Sequence, residues 1–159
     1  MAVDAGSSPI TLATLRDMKQ RGEKIACLTC YDASFAGVLQ MAGVELFIVG
    51  DSLGMVVMGH DSTVSVSMDN MLHHAASVAR AGHRAYRIVD LPYLCYESAT
   101  QAYDNARRLM VEGGADMVNL EGGVAKAHLV EHLVNLGIPV CGHIGLLPQS
   151  VEQFGGYKV

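Results

Sequence analysis

Five apolar runs in this 159-residue chain each end on a polar side chain able to do chemistry. Residues 25–30 lead into Tyr31-Asp32, 46–50 into Asp51-Ser52, 87–89 into Asp90, 117–120 into Glu121, and 139–142 into His143. Stretches with helical periodicity lie between them. Short buried strands alternating with helices build a parallel sheet, because a parallel neighbour needs a crossover of roughly a dozen residues or more. In such sheets, ligands bind at the carboxyl ends of the strands. The expected fold class is therefore α/β with about five parallel strands, and Asp51, Asp90 and Glu121 are expected on one rim.

The punctuation between the runs supports this division. Residues 11–21 read as a leading helix with Leu12, Leu15 and Met18 on one face, suited to lie over the bottom of a barrel. Further helices are expected at 33–41, 68–81, 98–112 and 125–136, with Gly43, Gly82, Gly113-Gly114 and Gly137 as stops. The connection 51–67 is rich in Gly, Ser, Thr and Asp, and loops of that length inside a domain are usually functional. By length, residues 1–159 form one domain, with residues 1–10 expected to be flexible. A complete eight-stranded barrel takes about 250 residues. Five strands and four intervening helices thus fit either an open sheet or an unfinished barrel.

Half of the residues are hydrophobic and the mean hydropathy is +0.26. Parallel strands covered on both faces explain that value, since they read as continuous apolar runs. A membrane span does not, because the densest stretch, 43–60, is interrupted by Glu45 and Asp51. Residues 1–9 lack the order of a signal peptide, so a cytoplasmic protein with no membrane partner is expected. A net charge of −5 without clustered Lys or Arg argues against a nucleic-acid surface. Cys27 and Cys30 form a C-x-x-C pair inside the apolar run, where both are expected to be buried and reduced. Cys95 and Cys141 lack metal-ligand spacing.

An acid after a strand is often only a turn cap, but such caps are as often Ser, Thr or Asn. Three acids in successive units point instead to a site. Asp51, Asp90 and Glu121 are hard oxygen donors without zinc-like His or Cys spacing near them, which favours Mg²⁺. His128 and His132 stand four apart but fall on a helix outside the sheet, so a solvated face is expected. His143 ends the fifth run on the same rim as the acids, where it can support a bound oxyanion. His60, in the long loop, is a more remote candidate.

These residues stand in a familiar order: Val49-Gly50-Asp51-Ser52-Leu53-Gly54-Met55, Gly59-His60-Asp61-Ser62-Thr63, Asp90-Leu91-Pro92, Glu121-Gly122-Gly123, Val140-Cys141-Gly142-His143-Ile144-Gly145-Leu146, Pro148-Gln149-Ser150 and Gly155-Gly156-Tyr157-Lys158-Val159. From Thr11 onward the chain resembles the ketopantoate hydroxymethyltransferase (3-methyl-2-oxobutanoate hydroxymethyltransferase) family. The resemblance implies a (β/α)₈ barrel. It also implies transfer of a one-carbon unit from 5,10-methylenetetrahydrofolate to 3-methyl-2-oxobutanoate, on the way to pantothenate and coenzyme A. Asp51 and Asp90 match the family's metal-binding aspartates and Glu121 its third acidic metal-site residue. Ser52 and Asp90 match positions that contact the keto acid. A homo-oligomer, a decamer in the family, is implied as well.

Two departures accompany the resemblance. The family usually has a keto-acid-contacting lysine two residues before Glu-Gly-Gly, where this chain has Asn119. The family also continues past Val159 into further βα units that carry its general base. On this reading, residues 1–159 are the amino-terminal five-eighths of the barrel, a binding half-site without turnover of its own, and His143 has a supporting role. Two alternatives stay open. One is another Mg²⁺-dependent carbon–carbon bond enzyme of α-keto acids, like the phosphoenolpyruvate mutase and isocitrate lyase group. The other is an inactive paralogue or fragment that serves as a binding or assembly partner.

Overall fold

Helix boundaries in the computed structural model, which describes residues 8–151 and 155–156, follow from capping side chains. Thr11 caps α1 (Leu12–Gln20), Asp32 caps α2 (Ala33–Met41), Ser67 caps α4 (Met68–Ala81) and Ser98 caps α5 (Ala99–Val111), each accepting a backbone N–H of the first turn. A short helix, α3 (Leu53–Val56), precedes α4, and α6 (Ala127–Asn135) follows a 3₁₀ turn over Gly123–Lys126. The strands are β1 (Cys27–Thr29), β2 (Leu46–Val49), β3 (Tyr86–Asp90), β4 (Met117–Glu121) and β5 (Val140–His143).

The sheet order is β1-β2-β3-β4-β5, with every neighbouring pair parallel. A doubly wound sheet reverses its strand order at a switch point. This one does not, and its helices α2, α4, α5 and α6 share one core with Phe47, Val49, Val89, Val118 and Leu120 on a single face. Consecutive strands with all crossover helices on one side form the wall of a barrel, which decides between the two architectures the element count left open. Phe47, Leu109 and Leu133 are fully buried there, each stabilising by roughly 1.5–3 kcal/mol.

The opposite face is the barrel interior. Its lower part is a separate cluster in which Leu15 of α1 packs on Tyr86 and Ile88, with Leu46, Ile48, Met117 and Cys141 beside them. The leading helix thus covers the bottom, as its apolar stripe predicts. Of the leading segment 1–10, residues 1–7 lie outside the described residues. Ile10 is tied down by its N–H, which donates to the Arg84 carbonyl at 2.7 Å. Tyr157, Lys158 and Val159 of the last motif also lie outside the described residues.

Two sequence expectations need correction. Cys30 is buried but Cys27 is exposed, because β1 is an edge strand with only β2 beside it. The 51–67 connection is not plain loop. It carries α3 and a 3₁₀ turn at Thr63–Ser65, too short to show a helical period. Among the described residues, no helix is long and apolar enough to cross a membrane.

Candidate active site

Register builds the site. Parallel pairing sets Asp90 opposite Asn119 and Glu121 opposite His143. Side-chain alternation then puts all four on the interior face, above the apolar layer of Ile88, Met117 and Cys141. Asp51 follows β2, and its N–H donates to Asp90 Oδ2 at 3.0 Å. The close approach needs Gly50, where a Cβ would stand only 3.2 Å from both Asp90 Oδ2 and Ser52 Oγ. Asn119 Nδ2 donates to the other oxygen, Asp90 Oδ1, at 2.7 Å. The structure therefore gathers Asp51, Ser52, Asp90, Asn119, Glu121 and His143 at the carboxyl ends of β2 to β5.

The acids are strained electrostatically. Burial, with the charge of Asp90 next in importance, pushes the Asp51 carboxyl up to about 7. Burial raises Asp90 too, against the hydrogen bonds from Asn119 and the Asp51 N–H. Glu121 is raised by burial and held back by His143. None of the five ion pairs among the described residues involves these three acids.

Other residues complete the surroundings. The Tyr31 and Ser52 hydroxyls share a hydrogen bond of 2.8 Å, and His74 Nδ1 bonds the Tyr31 carbonyl at 2.7 Å. Tyr31 ends the first apolar run, so the strand-end rule already pointed to it. Gln149, which the sequence shows only as part of the Pro148-Gln149-Ser150 motif, takes a place in the site that the sequence did not reveal. It is 6% exposed, and Nε2 donates to Asp51 Oδ2 at 2.7 Å and to the Leu91 carbonyl at 3.0 Å. The Tyr96 hydroxyl donates to Gln149 Oε1, and the Gln149 N–H donates to Glu121 Oε2 at 3.3 Å. A cleft of about 210 Å³, lined by Tyr93, Tyr96, Lys126 and Gln149, opens beside Glu121. His143 Nε2 bonds the Leu146 carbonyl at 2.7 Å, and a carbonyl only accepts, so Nε2 carries a proton. His128 and His132 are exposed on α6, as expected, and His60 is half-buried in the loop after α3.

The donor set fits a hard divalent cation. Buried carboxylates that repel one another and lack a Lys or Arg partner gain from a bound cation. The Thr63 hydroxyl is buried beside Asp51 and helps to hold its carboxyl down. Among the described residues, no three His, Cys, Asp or Glu side chains stand close enough to enclose an ion by themselves. Mg²⁺ takes one or two carboxylates and keeps its other positions for water and substrate oxygens, so two of these acids would be enough to hold it.

Comparisons with known proteins bear on the family and the fold. The family model for ketopantoate hydroxymethyltransferase matches residues 9–159. The chain is 55% identical over 150 residues to the 3-methyl-2-oxobutanoate hydroxymethyltransferase of Nitrosococcus oceani, a match covering 94% of this chain and 57% of that protein. It is 51% identical over 155 residues to the enzyme of that name from Halorhodospira halophila, covering 98% and 56%. The chain spans little more than half the length of these curated relatives. Among solved structures, 2,3-dimethylmalate lyase of the PEP mutase/isocitrate lyase superfamily matches with a TM-score of 0.62 at 17% identity, covering 91% of this chain and 53% of that one. Phosphonopyruvate hydrolase in complex with oxalate and Mg²⁺ matches with a TM-score of 0.57 at 15% identity, covering 67% and 37%. At such identities the likeness is one of fold, and it places the five strands in the (β/α)₈-barrel class.

Proposed function

The chain belongs to the ketopantoate hydroxymethyltransferase family, and from that footing we propose that the protein transfers a hydroxymethyl group from 5,10-methylenetetrahydrofolate to 3-methyl-2-oxobutanoate. The observation that carries the proposal is the convergence of Asp51, Asp90 and Glu121 on one rim, Asp51 and Glu121 buried and Asp90 half-buried, with no Lys or Arg paired to them among the described residues. Asp51 and Asp90 would hold Mg²⁺, with Glu121 supporting them. Bound there, the ion would supply Lewis-acid withdrawal of electrons from the keto acid, making its C3–H acidic.

The chain's own residues do the rest of the binding. Ser52, held by Tyr31, presents a hydroxyl beside Asp51, suited to a keto-acid oxygen. Asp90 is fixed at both oxygens, by Asn119 and by the Asp51 backbone, so its direction is set before a ligand arrives. Asn119 supplies a neutral N–H where a lysine would supply charge, which weakens the hold on a carboxylate. His143 adds a polar ring at the end of β5. The apolar layer beneath excludes water from the lower side of the site. The reading includes a cytoplasmic protein. It also includes a homo-oligomer, supported by the exposed stripe of Phe35, Val38 and Met41 on α2.

The test is product formation. The protein carrying this chain, given Mg²⁺, 3-methyl-2-oxobutanoate and 5,10-methylenetetrahydrofolate, should yield ketopantoate by mass spectrometry. The product should disappear with Asp51→Ala. Turnover of a keto acid with no folate requirement would reject the proposal in favour of a lyase-type activity. That outcome is disfavoured by 55% identity to a named hydroxymethyltransferase against 17% to the lyase.

A further inference from the structure

We propose that Gln149 is the positioning residue of the carboxylate cluster, holding Asp51 and Glu121 in place for a divalent cation through one side-chain and one backbone hydrogen bond. The inference rests on the metal-site reading above. Gln149 comes 98 positions after Asp51 in the chain, and a 3₁₀ turn at Pro148–Ser150 delivers it between the two acids. Every polar atom of its amide is engaged. The Leu91 carbonyl can only accept, so the amide nitrogen faces Leu91, and the same nitrogen must then donate to Asp51. Tyr96 closes the arrangement from the other side by donating to Oε1.

The chemistry of an amide suits this task. An ionised carboxylate has about four lone-pair sites. Gln149 occupies one on Asp51 and one on Glu121, leaving the remainder for an ion and its waters. A lysine in its place would neutralise the acids and compete with the cation, whereas the neutral amide orders Asp51 and leaves the charge of both acids intact. The Asp51 bond, at 2.7 Å, is the stronger arm, and the Glu121 bond, at 3.3 Å, the weaker. Loss of such an outer partner of a metal ligand typically costs about 10–100-fold in metal affinity.

The test is Mn²⁺ binding by isothermal titration, with paramagnetic resonance of free Mn²⁺ as a second readout. It uses the protein carrying this chain as wild type, Gln149→Met, Tyr96→Phe, the double variant and Asp51→Asn. Methionine keeps the length of the side chain and removes its hydrogen bonds. Gln149→Met should weaken Mn²⁺ binding about tenfold while thermal unfolding stays cooperative. Tyr96→Phe, which leaves Gln149 in place and removes the hydroxyl that orients it and also meets the Glu121 backbone, should weaken binding by a smaller factor. Added to Gln149→Met it should cost less than it does alone, because part of its effect passes through the amide; a purely structural role would not produce that non-additivity. Unchanged affinity in folded Gln149→Met overturns the proposal, as does a Tyr96→Phe loss that persists in full in the double variant. If Gln149→Met does not fold, unchanged affinity in Tyr96→Phe overturns it. Wild-type protein that binds no Mn²⁺, or Asp51→Asn that binds it equally well, overturns the metal reading together with this inference. Binding lost in Asp51→Asn but intact in Gln149→Met overturns this inference alone.

Discussion

Replacing Asp51 by Asn should remove one distinct share of the pH dependence of the metal-free protein's stability between pH 5.5 and 7.5, the rest coming from Asp90 and Glu121, which burial also raises. Asp51 is 3% exposed, and burial beside Asp90 moves its carboxyl from 3.8 to about 7. A carboxyl whose folded pKa lies above its unfolded value favours the fold while protonated. Its contribution is complete below the unfolded pKa and is lost as pH rises through the folded one. Across the stated window the loss from this one group is about 2 kcal/mol. In a domain of this size about 1 kcal/mol moves the melting temperature by roughly 2–4 °C, so the wild type should melt about 4–8 °C lower at pH 7.5 than at pH 5.5. Differential scanning calorimetry in the presence of a chelator measures this. The Asn variant should show a flatter profile, with the slope due to Asp90 and Glu121 remaining, and saturating Mg²⁺ at pH 7.5 should raise the wild-type melting temperature and not that of the variant. A wild-type profile that is flat, or a slope that survives unchanged in Asp51→Asn, would refute the reasoning.

Further expectations concern the site, the core and the surface. Asn119→Lys should tighten 3-methyl-2-oxobutanoate binding about tenfold in a calorimetric titration, through a charge-assisted bond the amide cannot make; unchanged or weaker binding contradicts the role given to Asn119. Leu109→Ala, at a fully buried position on α5, should destabilise the fold by about 2–5 kcal/mol in urea and leave Mn²⁺ affinity of the folded protein unchanged. Phe35→Lys with Met41→Lys, at positions 63% and 73% exposed, should shift sedimentation velocity toward smaller species; an unchanged distribution would remove the α2 stripe from the assembly.

The strand-end rule read the acids of this site directly from the sequence. Each of β2, β3 and β4 is a short apolar run, and a parallel sheet aligns the ends of such runs whatever the intervening helices do. Helix limits were equally legible where a capping side chain announced them, as at Ser67 and Ser98. Gln149 was legible only as part of the Pro148-Gln149-Ser150 motif and without a role, because it follows no strand and its partners lie 98 and 28 residues away. Only the tertiary path of the segment after β5 brings it inside. Tyr31 was half-legible. It closes an apolar run, but nothing in the sequence says that its hydroxyl reaches Ser52. Cys27 was misread because an apolar run does not disclose that its strand is an edge. The short helices at Leu53–Val56 and Thr63–Ser65 span too few residues to display a period.

The claim that matters most is that Asp51 and Asp90 hold a divalent cation and the keto acid at one place. Mn²⁺ titrations of the protein carrying this chain, with and without 3-methyl-2-oxobutanoate, test it directly. If both ligands meet at these carboxylates, the keto acid tightens Mn²⁺ binding and Mn²⁺ tightens keto-acid binding by the same factor. Both effects should vanish in Asp90→Ala. A Mn²⁺ affinity indifferent to the keto acid, or a linkage that survives Asp90→Ala, would contradict the assignment.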